Sequence, residues 1–129
     1  LATVIGMAAF GLETEERPMS VDDRLVKSAA LIGTKVNDAD GHRLGVIREI
    51  FIDRDAGIGR YVAIDPAGLF IAAGKYRPMP WRLLTWDDKT QAYVADIAKD
   101  RFKEAPAYDR DQLGSATYGW AEQVERYFE

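Results

Sequence analysis

With 129 residues, 47% of them hydrophobic and 29% charged, the chain suits one soluble globular domain with a short appendage. Its 17 basic residues are scattered among 21 acidic ones, for a net charge of -4. No basic block of the kind that tracks a phosphate backbone is present, which argues against a nucleic-acid partner. Zero cysteines exclude disulfides, cysteine-rich zinc sites and thiol catalysis, and they are compatible with a reducing cytoplasm.

Residues 1–12 (LATVIGMAAFGL) are mostly apolar but far short of the roughly 20 residues a membrane-spanning helix needs. No basic residue precedes them, so they lack the charged start of a signal peptide. The first residue is not methionine, and Met7 and Met19 are candidate natural starts. This arm is expected either to be weakly ordered or to pair with a neighbouring molecule. Residues 13–23 (ETEERPMSVDD) are charged, hold Pro18 and show no sustained period, so residues 1–24 read as an arm and linker. Leu25 and Val26 suit a short strand. Ser28 suits an N-cap before Ala29, Ala30 and Leu31, with Gly33 ending a single helical turn.

From Thr34 to Asp96 the pattern is a string of strands. Lys35 to Asn37 leads into the turn Asp38-Ala39-Asp40-Gly41, whose glycine admits positive φ. Leu44 to Asp53 is a long strand rich in Val46, Ile47, Ile50 and Ile52, and its alternation breaks at Arg48-Glu49, where a bulge is expected. After the turn Asp55 to Gly59 come a strand at Arg60 to Asp65, an apolar loop, and a strand at Lys75 to Met79. Pro78 and Pro80 lack the donors of a central ladder, so that strand belongs at a sheet edge. Gln91 to Ile97 is the last strand. Close turn spacing leaves little room for crossover helices, so the expectation is an all-β, mostly antiparallel small barrel or sandwich.

Two helical pieces follow. Asp100 to Ala105 is stopped by Pro106. Ser115 to Phe128 places Trp120, Val124 and Phe128 at four-residue spacing beside Tyr127, with Glu122 and Arg126 on the other side. Such a stripe either packs on its own barrel or makes a dimer or partner contact.

The motifs with catalytic or ligand-binding potential fail on chemistry. Around Gly41 a calcium loop would begin at Val36 and end at Ile47, neither of which ligates calcium through its side chain. The turn at Gly57 would put Ile52 first. The run from Gly68 to Lys75 has the wrong glycine spacing for a phosphate loop, puts Tyr76 where Ser or Thr is needed, and leads into a strand. Gly57-Ile58-Gly59 lacks the third glycine of a dinucleotide fingerprint. His42 is the sole histidine and reads as a solvated turn residue, with no serine on a nucleophile elbow. Asp53, Asp55, Asp87 and Asp88 lie at strand ends and turns, where aspartate caps backbone. No catalytic residue, cofactor site or metal site is assigned.

The apolar loop is different. Leu69, Phe70 and Ile71 occupy a stretch where loops are normally polar, and Phe70, Tyr76, Trp81 and Trp86 cluster around it. Trp81 is expected to close over the core, whereas Phe70 and Tyr76 suit a contact or lid.

Leu31-Ile32-Gly33 with Val36, Asp40-Gly41 with Leu44-Gly45, Ile50-Phe51-Ile52-Asp53, Gly59 and Tyr61-Val62 come in an order that resembles the PRC-barrel family. Lys75-Tyr76, Pro80-Trp81, Leu84-Thr85 and Ala105-Pro106 continue the pattern over residues 25–108, leaving residues 109–129 as a C-terminal helical extension. The resemblance implies a small, highly bent antiparallel barrel like the cytoplasmic domain of the photosynthetic reaction centre H subunit. More distantly it is similar to the C-terminal barrel of ribosome maturation factors, which bind a small-subunit ribosomal protein. These relatives are protein-binding modules, not catalysts. The H subunit's spanning helix and the maturation factors' preceding domain have no counterpart here, so neither integral membrane attachment nor a ribosomal role is expected. Where many relatives have loop glycines, this chain has Ala72 and Ala73.

The expectation is therefore a cytoplasmic, non-enzymatic protein-interaction module that binds itself as a homodimer. Its contacts are expected at Leu69, Phe70, Ile71, Tyr76, Trp120, Val124, Tyr127 and Phe128. An accessory or assembly role, docked peripherally on a photosynthetic or electron-transport membrane complex, is the alternative.

Overall fold

The structure, a computed structural model, describes residues 20–66, 74–115 and 117–129. The apolar arm at residues 1–12 and the loop residues Leu69, Phe70 and Ile71 lie outside the described residues.

Residues read as linker instead begin with a one-turn helix, α1 (Val21–Arg24). Ser20 and Asp23 form a reciprocal capping box: the Ser20 side chain accepts from the Asp23 N–H, and the Asp23 carboxylate accepts from the Ser20 N–H. Leu25 follows as its C-cap, so the short strand expected there is absent. The next turn, α2 (Ser28–Leu31), has Lys27 at its N-cap position without a side-chain hydrogen bond, and Ser28 already lies inside the helix. Gly33 ends it at φ +90°, as its sequence position predicts.

Six strands then build one sheet: β1 (Lys35–Asp38), β2 (Arg43–Asp53), β3 (Ile58–Asp65), β4 (Arg77–Pro80), β5 (Leu84–Asp87) and β6 (Ala92–Ala95). Their order is β4-β3-β2-β1-β6-β5. The sheet is barrel-like but not closed, with β4 and β5 at its edges. Pro78 and Pro80 stand on the edge strand, where their missing donors cost the ladder least. The β2–β3 register slips between Ile47 and Glu49, placing the bulge where the alternation breaks, and slips again between Phe51 and Ile52.

The sheet is mostly antiparallel, as expected, with two features that the sequence pattern does not show. β1 pairs with β6 in parallel, because the long connection that a parallel pair requires is supplied by the intervening hairpins rather than a helix. β5 escapes sequence pattern because its four residues are too few to show alternation and end in a turn. A short 3-10 turn, Trp81–Leu83, joins β4 to β5.

Three helices follow: α3 (Lys99–Lys103), α4 (Arg110–Leu113) and α5 (Trp120–Tyr127). α4 is set by a second capping box, Asp109 with Gln112, that the period alone does not reveal. α5 starts later than the sequence suggests because Tyr118 sits at φ +50°, outside the helical region. Val36, Leu44, Ile47, Val62, Ile64 and Met79 from the sheet share one core with Phe102, Leu113, Trp120, Val124 and Phe128 from the helices. Gly45 allows a close backbone approach between β2 and β3. It lies at φ +149°, and a Cβ there would sit 2.4 Å from the Asp65 carbonyl oxygen.

Candidate functional site

The stripe of α5 faces inward. Trp120, Val124 and Phe128 are 6%, 0% and 8% exposed, all within the chain's own core. The Trp120 ring meets Phe51 at 4.8 Å and Tyr61 at 5.4 Å edge-on, and its Nε1 donates to the Leu113 carbonyl at 3.1 Å. Of the two readings of this stripe, its position is that of packing on its own sheet, with only the edge of Trp120 reaching an open groove. The physical reason is the uncovered wall of an unclosed sheet, which α5 fills by packing on β4.

Tyr127 is half-buried, its hydroxyl donating to the Arg101 carbonyl at 2.5 Å while the Arg101 guanidinium donates to the Tyr127 carbonyl. Tyr76 is likewise half-buried, and its backbone exchanges hydrogen bonds of 2.8 and 2.9 Å with Tyr108. Both tyrosines therefore tie parts of the chain together. Trp81 is partly buried and packs over Gly59, where a Cβ would come within 3.3 Å of the indole. Trp86 is more outward, at 42% exposure.

The acidic turns work locally. Asp38, Asp40 and His42 place three metal-capable atoms within 4.8 Å of one another. Asp38, however, already accepts backbone N–H groups from Asp40 (3.0 Å), His42 (2.8 Å) and Lys99 (3.1 Å). It thus clamps the β1–β2 turn to the start of α3. Burial pushes its carboxyl up, but bonds from the His42 backbone and side chain, with Lys99 and Asp40, outweigh it and hold the group below its ordinary value. His42 is largely exposed, with Nδ1 3.2 Å from Asp38. Asp53 accepts from the Asp55 and Ala56 backbones at 3.0 Å and pairs with Arg60 at 3.1 Å. The Ala56 bond, then Arg60, lower its pKa. Asp87 accepts from Lys89 and Thr90 in the same manner.

Among the described residues, large apolar side chains stay outward at Val21, Leu25 and Val26 and at the far end of the β2–β3 hairpin. Ile52 and Ile58 are 59% and 47% exposed on either side of its turn. One open groove of about 710 Å³ runs between this end and α5, lined by Phe51, Tyr61, Tyr118 and Trp120, with Asp53, Arg54, Asp55 and Arg60 also lining it. A second, of about 470 Å³, is lined by Leu31, Ile32, Ile50, Gly59 and Trp81. Ile52 lines both. Tyr118 stands 49% exposed over the first groove in a left-handed conformation that costs a bulky residue about 1–3 kcal/mol. The Tyr61 hydroxyl donates to Glu125 at 3.0 Å; burial first, and then that carboxylate, push its pKa up to about 12. Arg82 pairs with the same Glu125 at 3.2 Å, tying the 3-10 turn to α5. Sequence reasoning missed this face, although its signal was present: a bulge re-aims every later side chain of β2, including Ile52.

A family model for the PRC-barrel domain matches residues 24–102, more than half of the chain. The chain belongs to the PRC-barrel family. No curated protein gives a significant match. PRC-barrel domains mediate protein interactions, and among the described residues of this one no helix is long and apolar enough to cross a membrane.

Proposed function

We propose that this PRC-barrel is a non-enzymatic protein-interaction module that acts as a cytoplasmic homodimer. The observation that carries the reading is the pair of open grooves around exposed Ile52, since apolar surface of this kind marks contact sites. The absence of cysteine accords with a reducing compartment. The carboxylates of Asp38, Asp53 and Asp87 are each engaged in holding a turn, which favours a structural role over acid–base work. Symmetric pairing is the commonest oligomer.

Sedimentation velocity over a range of concentrations tests the reading: a mass near twice 14.4 kDa is expected, and a monomer at the highest attainable concentration refutes it. Affinity purification from membranes addresses the accessory role suggested by the reaction centre H subunit. Recovery of a photosynthetic or electron-transport complex would favour that role over self-association.

A further inference from the structure

We infer that the groove between α2 and Trp81 is the seat of the chain's own apolar segment, residues 1–12, held on the same molecule with Phe10 as its anchor. This goes beyond the homodimer reading and leaves the first groove to that contact. The seat, about 470 Å³, is lined by Leu31, Ile32, Ile50 and Trp81, with Glu49 the one charged residue among its described lining residues. On the way to it, α1 and α2 bury none of their residues, and Val21, Leu25, Val26 and Ile32 are each at least 40% exposed. Helices of one turn are marginal in water unless an apolar face is packed. Among the described residues nothing packs this one.

Chemistry, reach and tethering select the occupant. Residues 1–12 carry no charged side chain, which suits this groove and not the first, where Asp53, Arg54, Asp55 and Arg60 line the wall. Eight residue steps lead from Leu12 to Ser20, and eight more lead to Ser28, which lines the groove. At about 3.8 Å per step the first stretch can therefore retrace the second. A tethered segment competes at an effective concentration of about millimolar, above that of a separate apolar partner at lower concentration. Phe10 is the segment's sole aromatic residue, the type that anchors in such pockets and meets an indole edge-on. An anionic bilayer is the poorer destination. Interfacial segments are rich in Lys and Arg, whereas residues 13–24 set Glu13, Glu15, Glu16, Asp22 and Asp23 against Arg17 and Arg24.

The test uses the full chain, whose lack of cysteine lets a single Ala8→Cys carry a nitroxide spin label. In isotope-enriched protein bearing its own label, paramagnetic broadening is expected at the Ile32, Ile50 and Gly59 amides and the Trp81 indole. None is expected when the label sits on an unenriched copy mixed with an enriched, unlabelled one. Adding Phe10→Asp is expected to lower the docked-to-undocked ratio at least about tenfold. The measurement without Phe10→Asp covers the case in which that variant misfolds. Broadening that is absent from these residues, or that a folded Phe10→Asp leaves intact, overturns the seat. Broadening in the mixed sample assigns the groove to a second copy's segment and overturns the same-molecule contact. Co-sedimentation with phosphatidylcholine–phosphatidylglycerol vesicles, with groove broadening lost, places the segment in lipid and overturns it too. None of these readouts depends on whether wild type dimerises, so the homodimer reading stands or falls separately.

Discussion

α5 and the β2–β3 hairpin end both carry large apolar side chains, yet the two sets meet opposite surroundings. On α5, Trp120, Val124 and Phe128 disappear into the core; on the hairpin, Ile52 and Ile58 stay in water. Periodicity identifies the apolar face of α5 but is silent on what covers it, and the bulged hairpin shows no clean period at all. The deciding fact is non-local: the unclosed sheet has a wall for α5 to fill, whereas among the described residues nothing covers Ile52 and Ile58 at the hairpin end.

The contrast breaks most easily from the inside. Trp120→Ala removes a buried indole and its bond to Leu113, and should cost about 3–5 kcal/mol in urea or thermal unfolding. A loss below about 1 kcal/mol would mean that α5 is not part of the core. Gly45→Ala forces a Cβ against the Asp65 carbonyl and should cost about 1–3 kcal/mol, read as a lower unfolding midpoint.

Asp38 sharpens the comparison through pH. Its folded pKa is lowered, so its contribution is fully present above its ordinary 3.8 and disappears as pH falls through the lower folded value. Asp38→Asn should reduce stability at neutral pH by about 1–2 kcal/mol and flatten the acid limb of a stability-versus-pH curve. An unchanged acid limb would assign the clamp no linkage. At the outer face the effect should be smallest. Ile52→Ser is expected to change the unfolding free energy of the monomer, measured at high dilution, by no more than about 0.5 kcal/mol.

Much of the frame was legible because local chemistry dictates it. Gly33 and Gly41 mark their turns with positive φ, Arg48-Glu49 marks its bulge, and Pro78 with Pro80 mark an edge. The parallel β1–β6 pair was not legible, since strand direction depends on partners far apart in sequence. α1 and α4 were missed because their capping boxes, Ser20 with Asp23 and Asp109 with Gln112, hold helices too short to show a period. The contact residues were legible only as apolar. The stripe of Trp120, Val124 and Phe128 reads first as packing on its own barrel and alternatively as a partner contact, while Ile52 reads simply as strand.

The parallel pairing of Val36 with Tyr93 has a bearing on how the molecule is made. β1 is made first, yet its second neighbour does not exist until β2, β3, β4 and β5 have all been translated. Until then the nascent hairpins expose an unsatisfied backbone edge along β1, the kind of edge that recruits neighbouring chains. Loop-closure entropy also delays that final zipper. Nascent chains arrested before Ala92 should therefore be more aggregation-prone than those released after Ala95, and the step between them marks when the sheet completes itself.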